Sequence, residues 1–136
     1  MHYANAPGPT REQQKAAFER DDGQPIYMLN LLKFRDRAVY ADGRETDLTG
    51  QQAYALYGRA MSKMVAEAGG KLIFMGKVRG LLIGELEGDW DSVGIMMYPS
   101  FKAMAAITSS PGYADIHVHR DAGLDGQMLS ETVMPT

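Results

Sequence analysis

Between Ile26 and Phe34 the chain reads Ile-Tyr-Met-Leu-Asn-Leu-Leu-Lys-Phe, nine positions with two polar side chains, Asn30 and Lys33. A run this uniformly apolar has no solvent face. It predicts a strand over Pro25–Arg35 buried on both sides, so covering layers must come from elsewhere in the chain or from outside it.

The flanking segments supply part of that cover. Met1–Pro9 reads as a loose arm. Thr10 and Gln13 form a capping box that opens a helix to about Asp21, stopped at Gly23. Its apolar stripe (Ala16, Ala17, Phe18) is thin. Asp36–Leu48 is polar around Asp42-Gly43, a hairpin-turn signal, and predicts a small β-excursion or a lid. Thr49 and Gln52 repeat the capping box, and Ala53, Tyr54, Tyr57, Ala60, Met61, Met64, Val65 and Ala68 follow at helical spacing before Gly69-Gly70. Lys71–Gly88 alternates, with Leu72, Phe74, Gly76, Gly80, Gly84 and Gly88 on one face. It predicts one long strand, bulged or kinked at a glycine, whose bare glycine positions leave room for close helix packing or a void. Trp90 lies in a turn, and Ser92–Tyr98 is a second apolar strand. Ser100 caps a short helix bearing Phe101, Met104 and Ile107. Ser110-Pro111 opens another, to about Arg120, and Gly126–Met134 is the last strand.

The order is that of an α+β, ferredoxin-like βαββαβ protomer with an extra N-terminal helix. The expected division is 1–24 for arm and helix and 25–136 for the domain. Two helices cover one face of a four-stranded sheet. Strands one and three are apolar on both faces, and the N-terminal helix is too thin to hide the second. An identical chain is the simplest cover, so a homodimer with sheet facing sheet is expected.

The 136 residues suffice for one core. With 14 Lys+Arg against 17 Asp+Glu the net charge is −3, which argues against nucleic acid as a partner. The absence of Cys excludes disulfides, Cys-zinc sites, iron–sulfur clusters and thiol catalysis. No apolar run approaches the roughly 18 residues of a membrane span. Met1–Gln14 lacks a signal-peptide core, so the expected location is the cytoplasm. Walker A, GxGxxG, GxSxG and HExxH motifs are absent.

YMLNLLKFRDRA, AYALYGRAM, FMGKVRGLLIGE, WDSVGIMMYPSFKAM and SSPGYADIHVHR together resemble a family of dimeric α+β barrel proteins of unknown function. The similarity spans roughly Gln24 to Thr132, with NLLKF and YPS…SPGY…R its most specific parts. The resemblance implies a ferredoxin-like protomer paired through its sheets. The wider superfamily includes cofactor-free monooxygenases, muconolactone isomerases and haem enzymes, so the resemblance carries the fold further than the reaction. An Asn occupies the first strand of the haem-degrading members, and their haem-binding relatives carry the proximal His near the SPGYADIH segment. The Trp of the haem degraders has no counterpart here: Trp90 lies in a turn and Tyr98 ends the third strand.

Asn30 interrupts the apolar strand on the face of Met28 and Leu32. It is either satisfied by neighbouring backbone or projects into a ligand cavity. Tyr113, Ile116, His117 and Arg120 share a helix face. His117 is a candidate general base or, alternatively, a haem axial ligand; the competing reading is a helix-end imidazole bonded to backbone or Asp121. Arg120 with Tyr113 offers a fork to an anionic substrate, or pairs with Asp115 or Asp121. Tyr57 and Tyr98 complete the expected pocket. The predicted function is a small-molecule site for an apolar or aromatic ligand, with His117 and Asn30 catalytic and Tyr57, Tyr98, Tyr113 and Arg120 binding. No cofactor is expected; haem is the alternative. A non-catalytic ligand-binding or assembly module, its pocket filled by its own side chains, is the third reading.

Overall fold

The computed structural model describes residues 4–135. The elements run α1 (Arg11–Arg20), β1 (Ile26–Phe34), α2 (Gly50–Glu67), β2 (Lys71–Lys77), β3 (Ser92–Tyr98), α3 (Phe101–Thr108), α4 (Pro111–Gly123) and β4 (Leu124–Thr132). The four strands form an antiparallel sheet in the order β2-β3-β1-β4, the ferredoxin-like arrangement. Both capping boxes form: Thr10 accepts from the Gln13 amide and Thr49 from the Gln52 amide, and each glutamine side chain returns to the cap. Ser100 and Ser110 cap α3 and α4 as expected.

One face of the sheet meets the helices. Ile26, Met28 and Leu32 of β1 pack with Tyr54, Tyr57, Met61 and Val65 of α2 and with Tyr98, forming the main core. By alternation Tyr27, Leu29 and Leu31 point the other way, where they are only half-buried. Opposite them in register stand Met97, Ile95 and Val93 of β3, and Met128 of β4 beside Leu31. β1 and β3 are therefore buried on one face within the single chain, not on two. Phe74 adds to the open face, 55% exposed. α1 does not cover it. Only Ala17 of α1 is buried, Phe18 meets Phe101 edge-on at 4.9 Å, and Arg20 pairs with Glu131 at 3.0 Å.

The structure corrects the long-strand reading of Lys71–Gly88. β2 ends at Lys77, and 78–91 is a loop in which Gly80, Gly84 and Gly88 take positive φ. Leu82 and Ile83 are 96% and 88% exposed. These glycines terminate alternation instead of lining a void. A register shift between Leu72 and Phe74 also splits those two residues: Leu72 faces Met96 and Phe74 faces Ile95. The last strand starts at Leu124, two residues early, because α4 continues to Gly123.

Asp36–Leu48 is not a β-excursion either. It is a loop whose Ala38 and Tyr40 are buried with Ala53 and Ala122 in a second small core. Ala38 N–H donates to Leu48 O and Val39 N–H to Ala122 O. The loop can lie so close because Gly50 and Gly123 bring α2 against the end of α4. A Cβ on Gly50 would overlap the carbonyl oxygens of Arg35 and Gly123.

Candidate functional site

Asn30 sits mid-strand in β1. Its Nδ2 donates to Met28 O at 3.1 Å, and its Oδ1 accepts from Gln127 Nε2 at 2.9 Å. Gln127 Oε1 in turn accepts from Arg120 Nη2. Arg120 Nη1 donates to Asp121 Oδ1 at 2.8 Å. Asp121 Oδ2 meets His117 Nδ1 at 2.9 Å. A continuous relay thus links the amide in the central strand to an imidazole on α4. The α-helical period makes its outer half, since His117 and Asp121 are four residues apart and share a face. The β1–β4 register makes its inner half.

A carboxylate only accepts, so His117 donates its Nδ1 proton to Asp121, which leaves Nε2 as the ring's acceptor. The His117 and Asp121 side chains are nearly half exposed. Arg120 is the more enclosed partner, its side chain 17% exposed.

Inward from His117 the site is aromatic. His117 stacks on Tyr113 with ring centroids 5.9 Å apart, and Tyr113 meets Tyr57 edge-on at 6.1 Å. The two hydroxyls are 3.4 Å apart, a weak bond. Tyr57 continues to Tyr54, and Tyr98 lies in the same core. Burial pushes the Tyr54 hydroxyl up to about 12. Tyr57 and Tyr98 are raised as well, by burial first and by the neighbouring Tyr113 second. All three stay neutral phenols at ordinary pH.

The structure therefore joins Asn30, Arg120 and His117 in one hydrogen-bonded relay and stacks Tyr113 on His117, with Tyr57 edge-on behind Tyr113, while Tyr57 and Tyr98 are packed as core. Asn30 is satisfied by the Met28 carbonyl and by the Gln127 side chain. For Arg120, the partner is Asp121. A cavity of about 80 Å³ lies elsewhere, lined by Lys33, Leu86, Trp90 and Asp125 among others. Gln127 was not anticipated from sequence, because only strand pairing places it beside Asn30. Nor was Tyr40, whose hydroxyl lies 2.7 Å from His119 Nδ1. Among the described residues no cluster of three or more His, Asp or Glu is placed to hold a metal ion, and no helix is long and apolar enough to cross a membrane.

A family model described as a domain of unknown function (DUF1330) matches residues 38–130. No curated protein matches the chain. The crystal structure of the RPA0582 protein of unknown function from Rhodopseudomonas palustris is 34% identical, covers 97% of this chain and 100% of its own, and superposes with a TM-score of 0.84. A dimeric ferredoxin-like protein of unknown function from Thermobifida fusca is 17% identical over 83% of this chain and 93% of its own, with a TM-score of 0.53. SnoaB, a cofactor-independent oxygenase from Streptomyces nogalater, is 12% identical over 83% and 95%, with a TM-score of 0.52. The last two likenesses show the shared fold.

Proposed function

Because the chain belongs to the family described as a domain of unknown function (DUF1330), we propose its role from its own side chains. It is a homodimeric α+β barrel protein in which each protomer binds a small apolar or aromatic molecule beside the Arg120–Asp121–His117 part of the relay. His117 acts there as general base and Asn30, through Gln127, keeps the binding groups in register. The carrying observation is the unbroken relay from Asn30 to the His117–Asp121 pair.

An amide in an apolar strand that only had to pack would be matched by leucine. This one is coupled through two side chains to a carboxylate that orients an imidazole, the arrangement a general base requires. Leu129, the β4 partner of Asn30, is 44% exposed and supplies an apolar wall beside the relay. The chemistry that fits is proton abstraction beside a carbonyl of an aromatic or lactone-like compound, as in isomerisation or the first step of a cofactor-free oxygenation. The oxygenase activity named for SnoaB stands on the same fold and is consistent with this reading.

Haem competes for His117. With Nδ1 on Asp121, Nε2 is the His117 nitrogen that would hold a haem iron, while Tyr113 stacks on one face of the ring. No step is routed through a haem. For the dimer, the support is the apolar open face and the dimeric state named for the Thermobifida fusca protein.

The test is an NMR screen of small aromatic ketones and lactones against the wild type, His117→Ala and Asn30→Ala. Hits weakened in both variants support the site. Hits bound equally by all three proteins overturn it.

A further inference from the structure

We propose that Arg120 carries a carbonyl-binding subsite, and that the Pro7 carbonyl of the chain's own N-terminal arm occupies it until a ligand carbonyl takes its place. This rests on the site reading above and names the ligand class that site selects.

Three of Arg120's contacts differ in character. Asp121 holds Nη1 at 2.8 Å and neutralises its charge, and Gln127 holds Nη2. The third is the Pro7 carbonyl oxygen, 3.5 Å from Nη1, at the limit of a hydrogen bond. With Asp121 already paired to the guanidinium, the remaining N–H direction suits a neutral carbonyl oxygen better than a second carboxylate. A backbone carbonyl fills that role now, and as the longest of Arg120's bonds it is the one most readily exchanged.

The arm is held by few contacts. Asn5 spans the free edge of β4: its Oδ1 accepts from the Gln127 amide at 2.9 Å and its Nδ2 donates to Asp125 O at 3.0 Å. Every residue from Ala4 to Thr10 is exposed, so no buried apolar side chain anchors this stretch. The clasp touches Gln127, the residue through which Arg120 communicates with Asn30. Arm release and ligand entry therefore act on the same two side chains. The chain's own carbonyl thus stands where a ligand's would.

α-Tetralone, a bicyclic aromatic ketone, is the probe, and tetralin, its counterpart without the oxygen, is the control. Both are titrated into the ¹⁵N-labelled full chain, wild type and Asn5→Ala, with amide exchange followed at Gln127. The expected result is that Asn5→Ala binds tetralone about tenfold more tightly, as loss of the clasp implies. Tetralin affinity should not change, and tetralone should speed exchange at Gln127 in the wild type. Equal tetralone affinity in both proteins, or a Gln127 amide that stays protected when tetralone binds, overturns the arm's role while leaving the site reading intact. Failure of both proteins to bind tetralone overturns the carbonyl subsite; the site reading then stands or falls on the wider ketone and lactone screen.

Discussion

Asn30 Oδ1 accepts from Gln127 Nε2 at 2.9 Å, although the strand register sets Gln127 opposite Leu32 and Asn30 opposite Leu129. The bond is a diagonal one across β1 and β4, within reach of two amide side chains on the same sheet face. Replacing Asn30 by Ala strands the Gln127 donor in a half-buried place. The expected cost is about 1–2 kcal/mol of unfolding free energy, measured by urea denaturation. The Asn30→Ala, Gln127→Ala double mutant should lose less than the sum of the two singles. Strict additivity would show that the two amides act independently.

Gly50 and Gly58 sit on one helix with opposite needs. A Cβ at Gly50 overlaps backbone oxygens that cannot swing aside, whereas one at Gly58 meets nothing within 4 Å. Gly50→Ala should destabilise by at least about 2 kcal/mol. Gly58→Ala should stabilise by about 0.5–1 kcal/mol through helix propensity. Thermal melts of the two variants against wild type give both signs at once. A stabilised Gly50→Ala would refute the close approach of α2 to α4.

Tyr54 is raised from 10 to about 12 by burial, and Tyr57 and Tyr98 are raised as well. Below pH 10 both folded and unfolded chains keep these phenols protonated. From pH 10 upward the unfolded chain loses protons that the folded chain retains, so stability falls with rising pH over about 10–12. Denaturant midpoints across that range should drop, and less steeply in Tyr57→Phe. A pH-independent midpoint through that window would contradict the burial of these hydroxyls.

The open sheet face presents Leu29, Leu31, Ile95 and Phe74. If two copies close over it, light scattering of the wild type should give twice the 15.0 kDa chain mass. Ile95→Glu should return it to one chain mass while circular dichroism keeps its helical signal. A wild type that already runs at single-chain mass at micromolar concentration removes the dimer.

Much of the fold was legible because local chemistry repeats it. Thr10 with Gln13 and Thr49 with Gln52 mark helix starts within four residues, and Ile26–Phe34 declares a strand by apolar density. The stretch after Lys77 misled because its glycines recur every four residues and so keep step with a strand's period of two. Their positive φ values are invisible in a sequence pattern. The site was legible by halves. Tyr113, His117 and Arg120 lie within eight residues, and helical spacing alone brings them together. Gln127, Asn5 and the Tyr40–His119 pair depend on contacts across 79 to 122 residues, which only the folded topology supplies.

The strand order β2-β3-β1-β4 also sets a timetable. β1 is made early, yet its two neighbours are β3 and β4, the latter ending at Thr132. At about 5–20 residues per second, roughly 5–20 s pass on the ribosome between completion of β1 and arrival of its last partner. For that interval the most apolar segment of the chain has an unpaired edge. Nascent-chain engagement by a holdase should centre on Ile26–Phe34, and it should end only when β4 emerges.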